Sequence, residues 1–408
     1  MDVGVATAEP VPTPSQPRRG WTRGWGAKSW PVVLLFVVVT GILYWRPLIG
    51  RGDFLPTDIL RPQPPWNTAQ TLPQAPYNWI LGDTLDNYTD VEYFVSQAKA
   101  GRLTHWNPYV ASGVPLYQAP NYYPLNFLFY LLPMPYAWGA HAALRTFLAM
   151  LFMFLFLRQL KVRQWSAGLG GVAFGLTGFN VVWLGWQQSW VSVFIPALFW
   201  TAERVIQRPT GRRACGLGLV WAAMVLGGFP AVAGMSVYLL AGYTALRLWQ
   251  TRRSEGSWAR PARAVLWLAG GFVLGTLLTG VYTVPFLDFY AHADLGYRSS
   301  LGRLTLDPRY LVTALVPNAY GHEYLPNDWW GPSSNYVEIQ FYGGILTLLL
   351  AASSLLLRRR DPDGPGRGLS WLFLGTCAVV VMLAFGHPLG LLDTVSKLPI
   401  FSNSAPGR

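Results

Sequence analysis

Residues 82–132 read GDTLDNYTDVEYFVSQAKAGRLTHWNPYVASGVPLYQAPNYYPLNFLFYLL, a polar and aromatic stretch in an otherwise apolar chain. Four acids lie close together at its start, namely Asp83, Asp86, Asp90 and Glu92. Carboxylates beside aromatic rings at the edge of a bilayer suit a site that meets a sugar. We therefore interpret this stretch as the working face of the protein and the surrounding helices as its scaffold.

The composition excludes an ordinary soluble domain. Of 408 residues, 52% are hydrophobic, 15% are aromatic and only 12% are charged, and the mean hydropathy is +0.27. These values are typical of an all-α integral membrane protein that crosses the bilayer several times. The two cysteines, Cys215 and Cys377, both lie in apolar segments, so neither a disulfide framework nor a zinc cluster is expected.

Apolar runs of about 20 residues predict nine membrane crossings. The predicted crossings cover residues 30–48, 138–157, two within 163–204, two within 213–247, 264–284, 337–357 and 369–385. A shorter apolar piece, 122–132, cannot span and is predicted to lie at the interface or to re-enter the bilayer.

The basic residues fix the predicted orientation. Arginines and one lysine precede the first crossing, which places the N-terminus in the cytoplasm and predicts a disordered tail over residues 1–28. The long loops 49–137 and 285–336 are then external, and both are acidic and aromatic. The net charge of +12 is explained by basic cytoplasmic segments, so no nucleic-acid partner is expected.

The external loops carry the candidate chemistry. Asp83 is the predicted catalytic base toward an acceptor hydroxyl, and Arg298 is the predicted contact for a departing phosphate. Asp83 also suits a helix N-cap, since it opens a plausible helix through Ala100. Asp86 and Asp90 share one helical face, which favours a solvated surface over a metal pair, and no metal site is predicted.

Two polar positions in apolar sequence have alternative interpretations. Arg145, in the second crossing, is either paired or functional, or it extends its side chain toward the outer interface. Gln187 lies between tryptophans at a predicted external turn, which is typical of an aromatic belt but also allows substrate contact.

The loop motif resembles a known family. The order is an acid, then G-x-L-x-x-W-N-P-Y-x-x-x-G-x-P-L, then Y-P-L-N before a membrane helix. This order is similar to that of the YfhO-type bacterial membrane proteins, which belong with the GT-C glycosyltransferases. In this chain the motif occupies Asp83, 101–109, 113–116 and 123–126, and looser similarity continues through Asp288 to Glu338.

The resemblance implies a GT-C-like bundle that transfers a sugar, with inversion, from a polyprenyl-phosphate donor to a cell-envelope glycan or teichoic-acid-like acceptor. The reaction would take place on the outer face of a bacterial plasma membrane. Asp83 matches the family's acceptor-side acid, and Asn87 stands where related chains often have Gln. No organic cofactor is implied, and a divalent metal requirement is left open. Substrate contacts are expected from Asn87, Trp106, Asn107, Tyr109, Gln187, Arg298 and Glu338.

Two other functions compete with the enzyme. A transporter or flippase of a lipid-linked intermediate would need polar groups near the midplane and a pair of broken helices. The third possibility is a non-catalytic assembly subunit. Related chains continue with more helices after a segment like 401–408, so a C-terminal truncation is expected here. The truncation is what favours a non-catalytic function.

Overall fold

The computed structural model describes residues 29–52, 54–60, 64–68, 79–116, 121–294, 305–322, 329–331, 336–356, 367–385 and 394–403. Over these residues the chain is mostly helical, with one two-stranded hairpin. The predicted tail 1–28, the predicted phosphate contact Arg298 and the final residues 404–408 lie outside this part of the chain.

The α-helices are described in chain order. They are α1 (Trp30–Leu48), α2 (Gly82–Lys99), α3 (Phe127–Leu131), α4 (Met134–Gln159), α5 (Gln164–Gly175), α6 (Gly178–Val182), α7 (Gln187–Ser192), α8 (Ile195–Gln207), α9 (Gly211–Val225), α10 (Pro230–Glu255), α11 (Ala259–Leu278), α12 (Gly280–His292), α13 (Ile345–Leu356) and α14 (Arg367–Ala384). The strands are β1 (Trp106–Asn107) and β2 (Val114–Pro115), which pair antiparallel.

In the described part of the chain, four helices are long and apolar enough to cross a membrane. They are α1, α4, α10 and α11. At 1.5 Å per residue, about 20 helical residues are needed to cross about 30 Å of hydrocarbon. All four helices reach or nearly reach this length. The chain is therefore compatible with a multi-pass membrane protein in a lipid bilayer, and the nine predicted crossings stay a prediction.

The segment predicted as two crossings within 163–204 has a different form. It consists of the four helices α5 to α8, of 12, 5, 6 and 13 residues. The helix breaks after Gly175, where the side chain of Thr177 caps α6 by accepting from the Asn180 amide. The amide of Gly178 donates to the carbonyl of Tyr342 at 2.7 Å, so a distant segment stabilises the break. We call residues 176–194 the broken segment.

Two later helical regions have bounds that differ from those of the predicted crossings. Residues 336–344 are a short 3-10 turn followed by irregular backbone, and α13 begins only at Ile345 after Gly344, which has a φ of +88°. The helical region predicted to stop at 284 continues as α12 to His292. A short turn joins α9, which ends at Val225, to α10, which begins at Pro230.

Helix α4 lies at the centre of the packing. It packs against α1, α5 and α8, and its buried face contributes Met150 and Phe154 to a cluster with Val32, Phe36 and Ala167. These apolar contacts hold α4 in a fixed position, so the side chains along its length are well positioned relative to the loop that precedes it.

The loop between α1 and α4 contains the folded element predicted from the acidic stretch. Its helix α2 spans Gly82–Lys99, in agreement with the predicted helix. The predicted interfacial piece is a 3-10 turn followed by the short helix α3, which buries Phe129. The loop therefore packs against the bundle through apolar side chains.

Candidate functional site

The first turns of α2 face the broken segment. Asp83 and Asn87 lie four residues apart and therefore share one face of the helix. Trp186 donates its indole N–H to Asp83 Oδ2 at 3.4 Å, and Gln187 donates from Nε2 to Asn87 Oδ1 at 2.6 Å. The structure thus brings together three of the predicted site residues, Asp83, Asn87 and Gln187.

Asp83 is not the N-cap of α2. The N-cap position belongs to Leu81, and no side-chain capping bond is formed there. Asp83 instead lies within the first turn, where the helix dipole favours a negative charge. Its side chain is exposed, so the carboxylate is accessible from solvent.

A cavity of about 230 Å³ lies directly beside this turn. Leu81 and Thr84 of the α2 region, Arg145 of α4, and Leu184 and Gly185 of the broken segment line it. The backbone at Gly185 lies so close to α2 that a side chain does not fit, because a Cβ there would lie 2.4 Å from Cγ2 of Thr84. The remaining walls are mostly apolar, from residues 54–56, Trp138, Val181 and Val182.

Arg145 is the cation of this cavity and is only 2% exposed. Its Nη1 donates to Ser189 Oγ at 2.6 Å and its Nη2 donates to the Leu184 carbonyl at 2.9 Å. Its guanidinium also lies over the Trp190 ring, 5.1 Å from the centroid. The side chain is therefore buried against the broken segment, and the alternative that it extends to the interface is wrong.

The two long loops meet at an aromatic cluster beside Asp83. Trp183 and Trp186 of the broken segment pack with Tyr336 and Val337, together with Ile80, Leu81 and Trp329. Glu338 follows in the same 3-10 turn, and Tyr342 accepts the bond from Gly178. The segment carrying Glu338 is therefore held against the broken segment, although Glu338 itself does not line the cavity.

The W-N-P-Y segment, residues 106–109, follows α2 and contacts its later turns. Asn107, 2% exposed, donates to Asp90 Oδ1 at 3.1 Å and accepts from the Tyr109 amide at 3.0 Å. Tyr109 is 81% exposed and contacts Tyr93 edge-on, whereas Trp106 covers Gly113. None of the three predicted contacts in this segment lines the cavity, and the hairpin instead fixes α2.

The acids of α2 influence one another. Burial raises the pKa of Asp86 above its ordinary value, and the nearby charge of Asp83 raises it further. Burial also raises the pKa of Asp90, while the hydrogen bond from Asn107 opposes that rise. This face of α2 is therefore a cluster of mutually repelling carboxylates.

Several residues of this site were not predicted. Its contacts are formed by Thr84, Trp183, Trp186, Ser189 and Tyr336, and each of them meets a partner that is distant in the chain. The one local signal is the glycine in WLGWQQSW, since a glycine among tryptophans indicates a close backbone approach.

Among the described residues, no three His, Cys, Asp or Glu side chains come together as a metal site. Comparison of the chain with protein-family models, with curated proteins and with solved structures finds no significant match.

Proposed function

We propose that this protein is a membrane glycosyltransferase of the GT-C type, which moves a sugar from a polyprenyl-phosphate donor to a cell-envelope acceptor on the outer face of a bacterial plasma membrane. One observation carries the proposal. An exposed carboxylate, Asp83, directly precedes Thr84, and Thr84 lines a cavity whose wall also includes the buried guanidinium of Arg145. An acid and a cation in one site can deprotonate an acceptor and receive an anionic leaving group.

In the proposed reaction, the acceptor hydroxyl oxygen attacks the anomeric carbon of the sugar while the bond from that carbon to the phosphate oxygen breaks. The phosphate leaves with the bonding electron pair. The hydroxyl proton passes to Asp83, whose carboxylate acts as the general base. Trp186 donates a hydrogen bond to Asp83 Oδ2 and thereby orients the carboxylate.

The remaining predicted residues have supporting parts in this proposal. Asn87 and Gln187, bonded to each other, hold α2 against the broken segment. Asn107 fixes the hairpin on α2 through Asp90, and the exposed rings of Trp106 and Tyr109 offer surfaces for a glycan acceptor. Arg298 and Glu338 stay candidates for contacts to the donor.

The test is sugar transfer by purified protein in liposomes, with a radiolabelled polyprenyl-phosphate sugar as donor. Asp83→Asn keeps the size of the side chain and removes the base, so we expect transfer to fall by about 10²-fold or more. Glu92→Gln, which neutralises an exposed acid on the same helix, should leave transfer unchanged. Equal activity of Asp83→Asn and wild type would reject Asp83 as the base.

A transporter of a lipid-linked intermediate is the second candidate, and the broken segment favours it. Discontinuous helices are typical of transporter binding sites. The break exposes polar groups inside the bundle, where Asn180 accepts from Ser192 Oγ at 2.6 Å. The same liposomes separate the two functions, because a transporter moves the labelled donor across the bilayer without forming product.

A further inference from the structure

Among the described residues, no carboxylate forms an ion pair with the buried charge of Arg145. Ion pairs among the described residues join Arg247 to Glu203, Arg260 to Glu255, His292 to Asp288 and Arg309 to Asp307, and none includes Arg145. Its two described hydrogen-bond acceptors are a hydroxyl and a backbone carbonyl, which are both neutral. The Nε of Arg145 has no hydrogen-bond partner in the part of the chain that the structure describes.

A second buried charge in this protein, that of Glu203, has a charged partner. Glu203, which is fully buried, accepts from Tyr243 at 2.8 Å, from Arg247 Nε at 3.0 Å and from Gln207 at 2.9 Å. All of these bonds neutralise or solvate the carboxylate. A buried guanidinium without such an anion is costly, and a charge of this kind in a membrane helix usually marks a functional site.

The cavity beside Arg145 is suited to a small anion. Its volume of about 230 Å³ is several times the ~30 Å³ that one water occupies in the liquid. Thr84 also lines it, with its hydroxyl donating to the Leu81 carbonyl at 2.6 Å, whereas Leu55, Val181 and Leu184 make most of the rest apolar. Apolar walls lower the local dielectric, so the attraction between the guanidinium and an anion is stronger there than in water.

We propose that this cavity binds a phosphate group, with the guanidinium of Arg145 as its counter-ion. A guanidinium has five N–H donors in a planar fork that matches phosphate oxygens. Two of those donors hold the broken segment, and three remain. Arg145 is thereby a candidate for the phosphate contact in addition to Arg298, which lies outside the described residues.

The site is related to the proposed transfer by position. Thr84 lines the cavity together with Arg145 and directly follows Asp83 in α2, so the acid is the chain neighbour of a residue in the cavity wall. The identification of this phosphate as that of a lipid-linked sugar donor rests on the proposed function. The binding of a phosphate group by this cavity does not depend on the proposed function.

The test is equilibrium binding of tritiated farnesyl phosphate to the full-length protein in detergent micelles. We expect unlabelled farnesyl phosphate to compete and farnesol, which lacks the phosphate, not to compete. Arg145→Gln should weaken binding at least about tenfold, because hydrogen bonds to charged groups are the stronger ones. Arg158→Gln, on the same helix near its other end, should stay within about twofold of wild type.

A second variant keeps the charge and fills the space. Val181 lines the cavity and is exposed, so we expect the fold to tolerate Val181→Phe and the larger side chain to narrow the cavity. It should weaken binding as Arg145→Gln does, with an unchanged unfolding midpoint. If inorganic phosphate competes for binding to wild type but not to Arg145→Gln, the site binds free phosphate as well as a lipid phosphate.

The proposal is overturned if Val181→Phe or a folded Arg145→Gln binds farnesyl phosphate as tightly as wild type, or if farnesol competes equally well. Failure of the enzyme proposal gives a different result. In that case wild-type protein binds farnesyl phosphate through Arg145, yet forms no glycosylated product from a labelled donor.

Discussion

Asp90 holds a carboxylate in a half-buried position on α2, where burial raises its pKa and the Asn107 amide supplies a partial compensation. A raised pKa means that the folded protein binds this proton more tightly than the unfolded chain does. Stability therefore falls as the pH rises from the unfolded pKa, near 3.9, through the folded one. The ionised side chain is consequently a destabilising group at neutral pH.

Asp90→Asn should remove this penalty, since an amide oxygen can still accept from Asn107. We expect the unfolding midpoint at pH 7 to rise by about 2 °C or less, because the side chain is partly exposed and solvent screens it. The difference from wild type should shrink as the pH is lowered toward 4. The measurement is thermal unfolding of the detergent-solubilised protein across that pH range.

Glu92→Gln serves as the control for net charge, since it also removes an acid from α2 but at an exposed position. It should change the midpoint little at either pH. A lower midpoint of Asp90→Asn at pH 7 would mean that the charged acceptor for Asn107 outweighs the burial of the carboxylate.

At the level of single residues, the sequence identifies which groups carry chemistry but not what they contact. The acids of α2 and the unusual depth of Arg145 are visible in the sequence alone. The bond from Trp186 to Asp83 joins residues 103 positions apart, and that of Arg145 to Ser189 spans 44. No local pattern determines such pairs, because they depend on how the helices pack.

Among the elements, helices α9 and α11 pack closely against each other. A Cβ on Gly275 would lie 2.4 Å from the carbonyl oxygen of Gly218, and one on Gly271 would lie 2.8 Å from that of Ala214. Small residues four apart allow backbones to approach in this way, which is the usual basis of helix association in membranes.

Gly275→Ala should separate these helices, because the obstructing atom belongs to the backbone and cannot rotate away. We expect a loss of about 1–3 kcal/mol, as found for overpacked cores. Gly270→Ala makes the same change on the same helix where nothing lies within 4 Å, so it should be neutral or slightly stabilising. Unfolding of both variants in mixed micelles measures the difference. Equal midpoints would show that the helix contact tolerates a methyl group.

The broken segment marks the limit of element prediction. Hydropathy reports only the length of an apolar run, and residues 163–204 are long enough for two crossings. The break depends on the bond between Gly178 and Tyr342 and on the contact of Gly185 with Thr84. Tyr342 and Thr84 both lie outside the apolar run of residues 163–204. Because the run itself contains no sign of these contacts, it predicts continuous helices where the fold has four short ones.

At the scale of the whole molecule, the two long loops converge on one side of the bundle. Leu81 from the first loop and Tyr336 from the second belong to one aromatic cluster around Trp183 and Trp186. The sequence predicted that both loops lie on the same side, because they are separated by an even number of predicted crossings. Their direct contact, and its position beside Asp83, required the packing of the broken segment between them.

The side of the membrane on which this cluster lies decides the proposed function. The short link between α10 and α11 contains Ser257 and is flanked by Arg252, Arg253 and Arg260. The charge distribution predicts that this basic link is cytoplasmic. The acidic helix α2 lies in the loop between α1 and α4, which is predicted to be external.

Single cysteines test this orientation after Cys215 and Cys377 are replaced by serine. We expect Glu92→Cys, on exposed α2, to react with a membrane-impermeant maleimide in intact cells. Ser257→Cys should react only after the cells are permeabilised, since its arginine neighbours hold the link on the cytoplasmic side. The reverse pattern would put Asp83 and the Arg145 cavity on the cytoplasmic side. A donor presented at the outer leaflet would then not meet the carboxylate, and transfer to the cell envelope would be excluded.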